Sequence, residues 1–242
     1  MYKEGIDPRR GTKLGTVCIG AEPHSEEQRK RIEQLLGVKA YNCFGMSEMN
    51  GPGVAFECTE QNGLHIWEDN VIVEIVDPVT LQPVPEGEVG ELVLTTINRE
   101  AMPLLRYRTR DLTCILPGDC PCGRTHKRLA RFKGRSDDMI ILKGVNLFPI
   151  QIEKILMQFK ELGSNYLITL ETIGNSDEML IEVELSDLFT DDYSALQRLT
   201  KGITRQLKDE LLLTPRIKLV AKGSLPTTDG KAVRVKDHRK LC

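Results

Sequence analysis

The 242 residues carry 33 Lys+Arg against 35 Asp+Glu, with 28% charged and 40% hydrophobic side chains, enough chain for one large domain or two modest ones with a real core. A net charge of −2 excludes an acidic disordered tail and an electrostatically driven nucleic-acid binder. No run approaches about 18 consecutive apolar residues, and Met1-Tyr2-Lys3-Glu4-Gly5 has no apolar stretch behind its charges. The expectation is a globular protein of the cytoplasm with neither membrane nor nucleic acid as partner.

In chain order, Gly15–Gly20 reads as a short strand closed by glycine. Ser25 is a good N-cap ahead of Glu26 and Glu27, and Ile32, Leu35 and Leu36 lie at helical spacing before Gly37. Val38–Tyr41 reads as a second strand, so the opening is a βαβ unit with a parallel pair. From Leu64 to about Leu116 the texture becomes short β runs between turn residues, with Val71–Val76 and Glu91–Thr96 as partners. A small barrel or curved sheet is expected there. The polar stretch Arg131–Asp138 separates two apolar regions and sets a domain boundary, with residues 1–136 on one side and 137–242 on the other.

Beyond it, Met139–Leu142 reads as a strand, and Pro149 can occupy the first turn of a helix with Ile152, Ile155, Leu156 and Phe159 on one face. Strands at Tyr166–Leu170 and Met179–Val183, a helix with Leu196, Leu199, Ile203 and Leu207 in phase, and a strand at Ile217–Val220 complete a small α+β module. The fold class is therefore α/β followed by α+β.

Three clusters can carry chemistry. Tyr41-Asn42-Cys43-Phe44-Gly45-Met46-Ser47-Glu48 ends a strand in aromatic, glycine, hydroxyl and carboxylate, where open α/β sheets bind ligands and where a hard cation such as Mg²⁺ finds oxygen donors. Arg106-Tyr107-Arg108-Thr109-Arg110-Asp111 ends in a carboxylate able to accept from ribose hydroxyls. Leu225-Pro226-Thr227-Thr228-Asp229-Gly230-Lys231 is a glycine-tipped turn presenting a lysine. Taken singly, a structural turn, a solvated strand edge and an ordinary surface lysine explain these segments at least as well.

Seven cysteines, an odd number without a secretion signal, argue against a disulfide framework. Cys120-Pro121-Cys122-Gly123 is a knuckle-type thiol pair, and Cys58 with His65 supplies a second pair, together matching the donors of a tetrahedral Zn²⁺. His126 competes with His65 for the fourth position, and free loop thiols are the simpler alternative. Cys18, Cys43 and Cys114 fall in apolar stretches and are expected as small core residues.

In this order the segments Phe44–Ala55, Gly63–Asp69, Arg106–Asp111 and Gly134–Met139 resemble the adenylate-forming enzyme superfamily, and within it the phenylacetate–CoA ligases. The resemblance runs from about Gly20 to the C-terminus. It implies the C-terminal part of a large AMP-binding domain, including the β subdomain at about 64–116, followed by a mobile C-terminal domain hinged at Asp137.

The implied reaction is ATP-dependent ligation of phenylacetate or a related aryl acid to coenzyme A through an acyl-adenylate. Gly20, Ala21, Glu22 and Pro23 match the loop bordering the adenine, and Phe44 with Gly45 matches the segment lying against that ring. Ser47 and Glu48 match the phosphate and Mg²⁺ positions, Asp111 the ribose acceptor, and Arg135 a neighbour in the nucleotide site. Lys231 matches the lysine contacting the forming acyl-adenylate. Lys143 in Lys143-Gly144-Val145-Asn146 would line the CoA channel.

The family's Ser/Thr/Gly-rich phosphate loop lies upstream of everything matched, so an N-terminal half is expected as a partner, and family habit adds a homodimer. A catalytically silent nucleotide- or CoA-binding remnant and a split-enzyme subunit are the alternatives.

Overall fold

The computed structural model describes residues 7–22, 24–49, 51–174, 176–186, 192–226 and 233–239. They fall into two compact units, one drawn from 1–24 and 29–138, the other from 25–28 and 139–242. No helix among the described residues is long and apolar enough to cross a membrane.

The first unit opens with one helical turn, α1 (Pro8–Gly11), whose N-cap Asp7 accepts from the Arg9 backbone N–H. The expected βαβ opening is present: β1 (Thr16–Gly20) and β2 (Lys39–Met46) pair in parallel and are joined through α2 (Glu26–Leu36). Glu33 of α2 accepts from the Ala40 N–H at 3.0 Å and from Gln61 Nε2 at 3.0 Å, which fixes the helix against the start of β2. A 3₁₀ turn, Ser47–Met49, follows β2 directly. The sheet continues antiparallel through β3 (Gly51–Glu57) and β4 (Leu64–Ile66).

Next come β5 (Val71–Val76), β6 (Gly90–Thr96), β7 (Tyr107–Thr113), β8 (Ile115–Leu116), β9 (Arg128–Leu129) and β10 (Gly134–Arg135). The partnership of Val71–Val76 with Glu91–Thr96 is as the sequence indicates. The region expected as a small barrel or curved sheet is divided between two sheets. Leu64–Ile66 and Ile115–Leu116 belong to the first sheet, ordered β1-β2-β3-β4-β9-β8, while β10-β7-β6-β5 forms an open antiparallel sheet of four strands. Strands of two or three residues carry no readable alternation, which is why the sequence does not assign them. Apolar faces of both sheets share a core that includes Val54, Leu64, Ile66, Leu92, Leu94 and Leu129.

Of the three cysteines expected in the core, Cys114 is buried, Cys43 is half-buried and Cys18 is exposed. Cys18 lies on β1, an outer strand of its sheet among the described residues, and apolar composition alone does not reveal that position.

In the second unit, β11 (Ile140–Leu142) and β12 (Val145–Leu147) form a hairpin whose two-residue loop, Lys143 and Gly144, has φ of 50° and 79°. Two positive φ values are the signature of the turn whose twist matches the flanking strands. Helix α3 (Pro149–Leu156) starts on Pro149, with the Gln151 side chain accepting from the Phe148 N–H at 2.8 Å. Phe159 lies past its end and packs on the same core.

The long pair β13 (Leu162–Ile173) and β14 (Ser176–Leu185) is antiparallel. After α4 (Tyr193–Leu211), β15 (Arg216–Val220) and β16 (Val235–Asp237) flank that pair in parallel, giving the order β15-β14-β13-β16. Ile152, Ile155, Ile168, Ile181, Ile203 and Leu207 are fully buried where the two helices meet the sheet. Strand β16 has no counterpart in the sequence reading, because three residues of mixed polarity give no pattern.

Candidate functional site

The C-terminal ends of the parallel pair β1 and β2 position the first set of residues. Gly20 is paired with Cys43, and a Cβ on Gly20 would meet the Cys43 carbonyl oxygen at 2.3 Å, so only glycine permits this approach. The chain then leaves the strand at Ala21 with φ of 68°. Ala21 is exposed and Glu22 half-buried, whereas Pro23 lies outside the described residues.

Across from Gly20, the Phe44 ring packs on Phe132 with centroids 4.4 Å apart. A Cβ on Gly45 would fall 2.3 Å from the Gly51 carbonyl oxygen, so β2 and β3 close tightly before the 3₁₀ turn. That turn presents Ser47 to solvent and leaves Glu48 half-buried. The Tyr107 hydroxyl donates to Glu48 Oε1 at 3.4 Å, and the Arg99 guanidinium donates to the Glu48 carbonyl. Burial, followed by the Glu48 charge, pushes the Tyr107 phenol upward.

A second group lies on β7 and β10, where the register sets Arg135 directly opposite Asp111. Arg135 Nη1 is 3.6 Å from Asp111 Oδ1 and donates to the Thr109 carbonyl at 3.2 Å. The Arg135 fork also grips Asp137 through two bonds of 2.9 Å, holding that carboxyl below the usual range. Tyr107, bonded to Glu48, and Asp111, opposite Arg135, lie on the same strand, β7, which links the two groups.

Sequence reasoning did not single out the carboxylate beneath this strand. Glu91 on β6 is fully buried and accepts from Arg108 at 2.7 and 2.8 Å and from the Ser136 hydroxyl at 3.1 Å, with Arg110 at 3.8 Å. The Arg108 bonds keep Glu91 ionised well below its ordinary value despite its burial. The available signal is a lone acid inside the apolar run Glu91-Leu92-Val93-Leu94, paired with the arginines of β7. Nothing local in the sequence links Tyr107 and Arg99 to Glu48.

The structure brings Cys58, His65, Cys120 and Cys122 together, with their donor atoms all within 4.8 Å of one another. Cys58 Sγ and Cys120 Sγ are 3.7 Å apart, and Cys122 Sγ is 3.4 Å from His65 Nε2. His65 Nδ1 faces the His126 carbonyl oxygen at 3.3 Å. The His126 ring instead stands edge-on to Trp67, which decides the competition between the two histidines for the cluster. Burial pushes the Cys58 thiol up to about 11, while the Arg124 backbone N–H draws Cys122 down to about 7.

In the second unit Lys143 sits at the exposed tip of the β11–β12 hairpin, its Nζ bonded to Glu178 Oε1 at 3.0 Å. Lys231 lies outside the described residues.

Two family models match this chain: one described as AMP-binding enzyme over residues 4–98, the other as AMP-binding enzyme C-terminal domain over 144–239. The chain belongs to the AMP-binding enzyme family. It is 42% identical to a phenylacetate-coenzyme A ligase of Thermus thermophilus, over 98% of this chain and 57% of that protein. With the enzyme of the same name from Pseudomonas putida the identity is 43%, over 99% of this chain and 54% of that protein. The chain thus spans about half the length of the curated relatives it matches.

Among solved structures, a 2-hydroxyisobutyryl-CoA ligase in the postadenylation state, in complex with R3-HIB-AMP, superposes with a TM-score of 0.89 at 31% identity, covering 98% of this chain and 51% of that one. The mixed α/β architecture is that of adenylate-forming enzymes.

Proposed function

We propose that this chain supplies the strand-end nucleotide site and the C-terminal domain of an acid–CoA ligase acting on phenylacetate or a related aryl acid. The observation that carries the reading is 40–43% identity to four phenylacetate-coenzyme A ligases over 96–99% of the chain. The arrangement of Glu48, Tyr107, Asp111 and Arg135 supports it.

In the first half-reaction a carboxylate oxygen of the acid attacks the α-phosphorus of ATP, the bond to the β-phosphate oxygen breaks, and pyrophosphate leaves with the electron pair. In the second, the CoA thiol gives its proton to solvent, its sulfur attacks the acyl carbon, the bond to the AMP oxygen breaks, and AMP leaves with that electron pair. Little covalent work falls to the protein, so positioning and fixed charge dominate.

The adenine borders Gly20, Ala21, Glu22 and Pro23 and lies near Phe44 and Gly45; Ser47 faces the phosphates. Glu48, a half-buried carboxylate held at its backbone carbonyl by Arg99 and at Oε1 by Tyr107, has the oxygen chemistry that Mg²⁺ requires and would hold it. Asp111 accepts from the ribose hydroxyls beside Arg135. Lys231 contributes positive charge where the acyl-adenylate forms, and Lys143 meets CoA. The hinge of the proposed C-terminal domain is Asp137, just ahead of the 138/139 division between the compact units. We propose further that a segment outside this sequence supplies the phosphate loop and that the reaction takes place in the cytoplasm.

Separating the half-reactions tests these roles. Lys231→Ala should depress acyl-adenylate formation while sparing CoA transfer from supplied acyl-AMP, and Lys143→Ala should do the reverse. Equal losses in both steps for both variants would overturn the assignments.

A further inference from the structure

Cys58, His65, Cys120 and Cys122 do not take part in the proposed ligase chemistry, yet their donors converge from distant parts of the first unit. Cys58 follows β3, His65 lies on β4, and the Cys120–Cys122 turn lies between β8 and β9. The first three are buried, and Cys122 is half-buried. We propose that they form a structural site for one Zn²⁺ ion, with all four coordination positions filled by protein.

The distances fit this chemistry. Two thiolates at Zn–S distances of about 2.3 Å and tetrahedral angles stand about 3.8 Å apart, and a thiolate and an imidazole nitrogen stand about 3.6 Å apart. The observed separations are 3.7 Å for Cys58 and Cys120, and 3.4 Å for Cys122 and His65.

The surroundings support the same ligand set. A carbonyl oxygen only accepts, so the 3.3 Å contact from His126 assigns the His65 proton to Nδ1 and turns the Nε2 lone pair toward Cys122. The Cys120–Cys122 turn is fixed by Gly123 donating to the Cys120 carbonyl at 3.0 Å, and the Arg124 N–H bonds to the Cys122 sulfur. Three thiolates around Zn²⁺ leave one net negative charge. Arg124 bonds to Cys122 through its side chain as well, and Arg128, buried beside His65, binds the carbonyls of Asn62 and Gly118 at 3.0 Å each.

Such an ion ties the β8–β9 connection to the β3–β4 turn, segments separated by 62 residues from Cys58 to Cys120. Strand β3 in turn holds β2, whose end carries Phe44 and leads into Glu48. Closing so long a loop stabilises mainly by restricting the unfolded chain.

The test uses the full chain purified under reducing conditions without added metal. Element-specific mass spectrometry should find about one zinc per chain, and Cys122→Ser should bind zinc at least about 100-fold more weakly, beyond the effect of altering a supporting residue. The control Cys18→Ser, at an exposed thiol, should bind as the wild type does. Chelation of the wild type should speed amide exchange in residues 117–127 while leaving β13 and β14 unchanged, and added zinc should reverse this. Should Cys122→Ser fail to fold, cobalt substitution of the wild type decides, because tetrahedral thiolate ligation gives intense visible bands and a charge-transfer band in the near ultraviolet. A protein that takes up no stoichiometric zinc, a Cys122→Ser affinity equal to wild type, or weak octahedral cobalt bands would each overturn the site.

Discussion

Glu91→Gln is the substitution that most directly probes the support beneath the β7–β10 site. The amide keeps the shape of the carboxylate but removes its charge, and its NH₂ group must face a donor from Arg108 or Ser136. Two charge-assisted bonds of 2.7 and 2.8 Å and one hydroxyl bond of 3.1 Å are affected. Breaking one side of a buried pair costs about 3–5 kcal/mol. The Arg108 side chain is 30% exposed and can recover water, so the low end, about 3 kcal/mol, applies. At about 3 °C per kcal/mol for a unit of this size, the first unit should melt roughly 10 °C lower at neutral pH.

The pH dependence has a definite sign. Because the folded state depresses the Glu91 pKa below its unfolded value of 4.5, this stabilisation is complete well above 4.5 and is lost as pH falls through the folded value. Thermal melts followed by circular dichroism across the acid range should therefore show the gap between wild type and variant closing below that value. A Glu91→Gln protein that melts with the wild type at neutral pH, or a gap that widens in acid, would refute the reasoning.

Three further outcomes follow from the structure. Gly45→Ala places a methyl group against the Gly51 carbonyl and the Pro52 Cα at 2.3 and 2.5 Å; both are backbone atoms, so chemical denaturation should show a loss of at least about 1–3 kcal/mol. Ile203→Ala, at a fully buried position of α4, should destabilise the second unit by about 2–5 kcal/mol and leave the melting of the first unit unchanged, as hydrogen exchange can resolve. Asp111→Ala should weaken AMP binding by about tenfold to a hundredfold in calorimetry, as expected for losing hydrogen bonds to a charged acceptor, with melting near that of the wild type.

The elements legible in the sequence are those with many residues and one buried face. The βαβ opening could be read because α2 is bounded by Ser25 and Gly37, and α4 because Leu199, Ile203 and Leu207 repeat at helical spacing over about two turns. The strands β8, β9, β10 and β16, of two or three residues each, are set by their partners rather than by their own pattern. The thiol and imidazole donors could be named because few residue types supply soft ligands, but only the pairing of β4 with β9 reveals how far-apart segments meet. Glu48 was readable as a strand-end carboxylate. Its partners Tyr107 and Arg99, and the role of Glu91 under Arg108, depend on strand register that composition does not determine.

The measurement that tests the central claim is phenylacetate-dependent pyrophosphate release from ATP and Mg²⁺ by this chain, combined with a polypeptide covering the first half of a phenylacetate-coenzyme A ligase. The account predicts release that requires both polypeptides and falls to background with Lys231→Ala; no release from the combination, or equal release with Lys231→Ala, would contradict it.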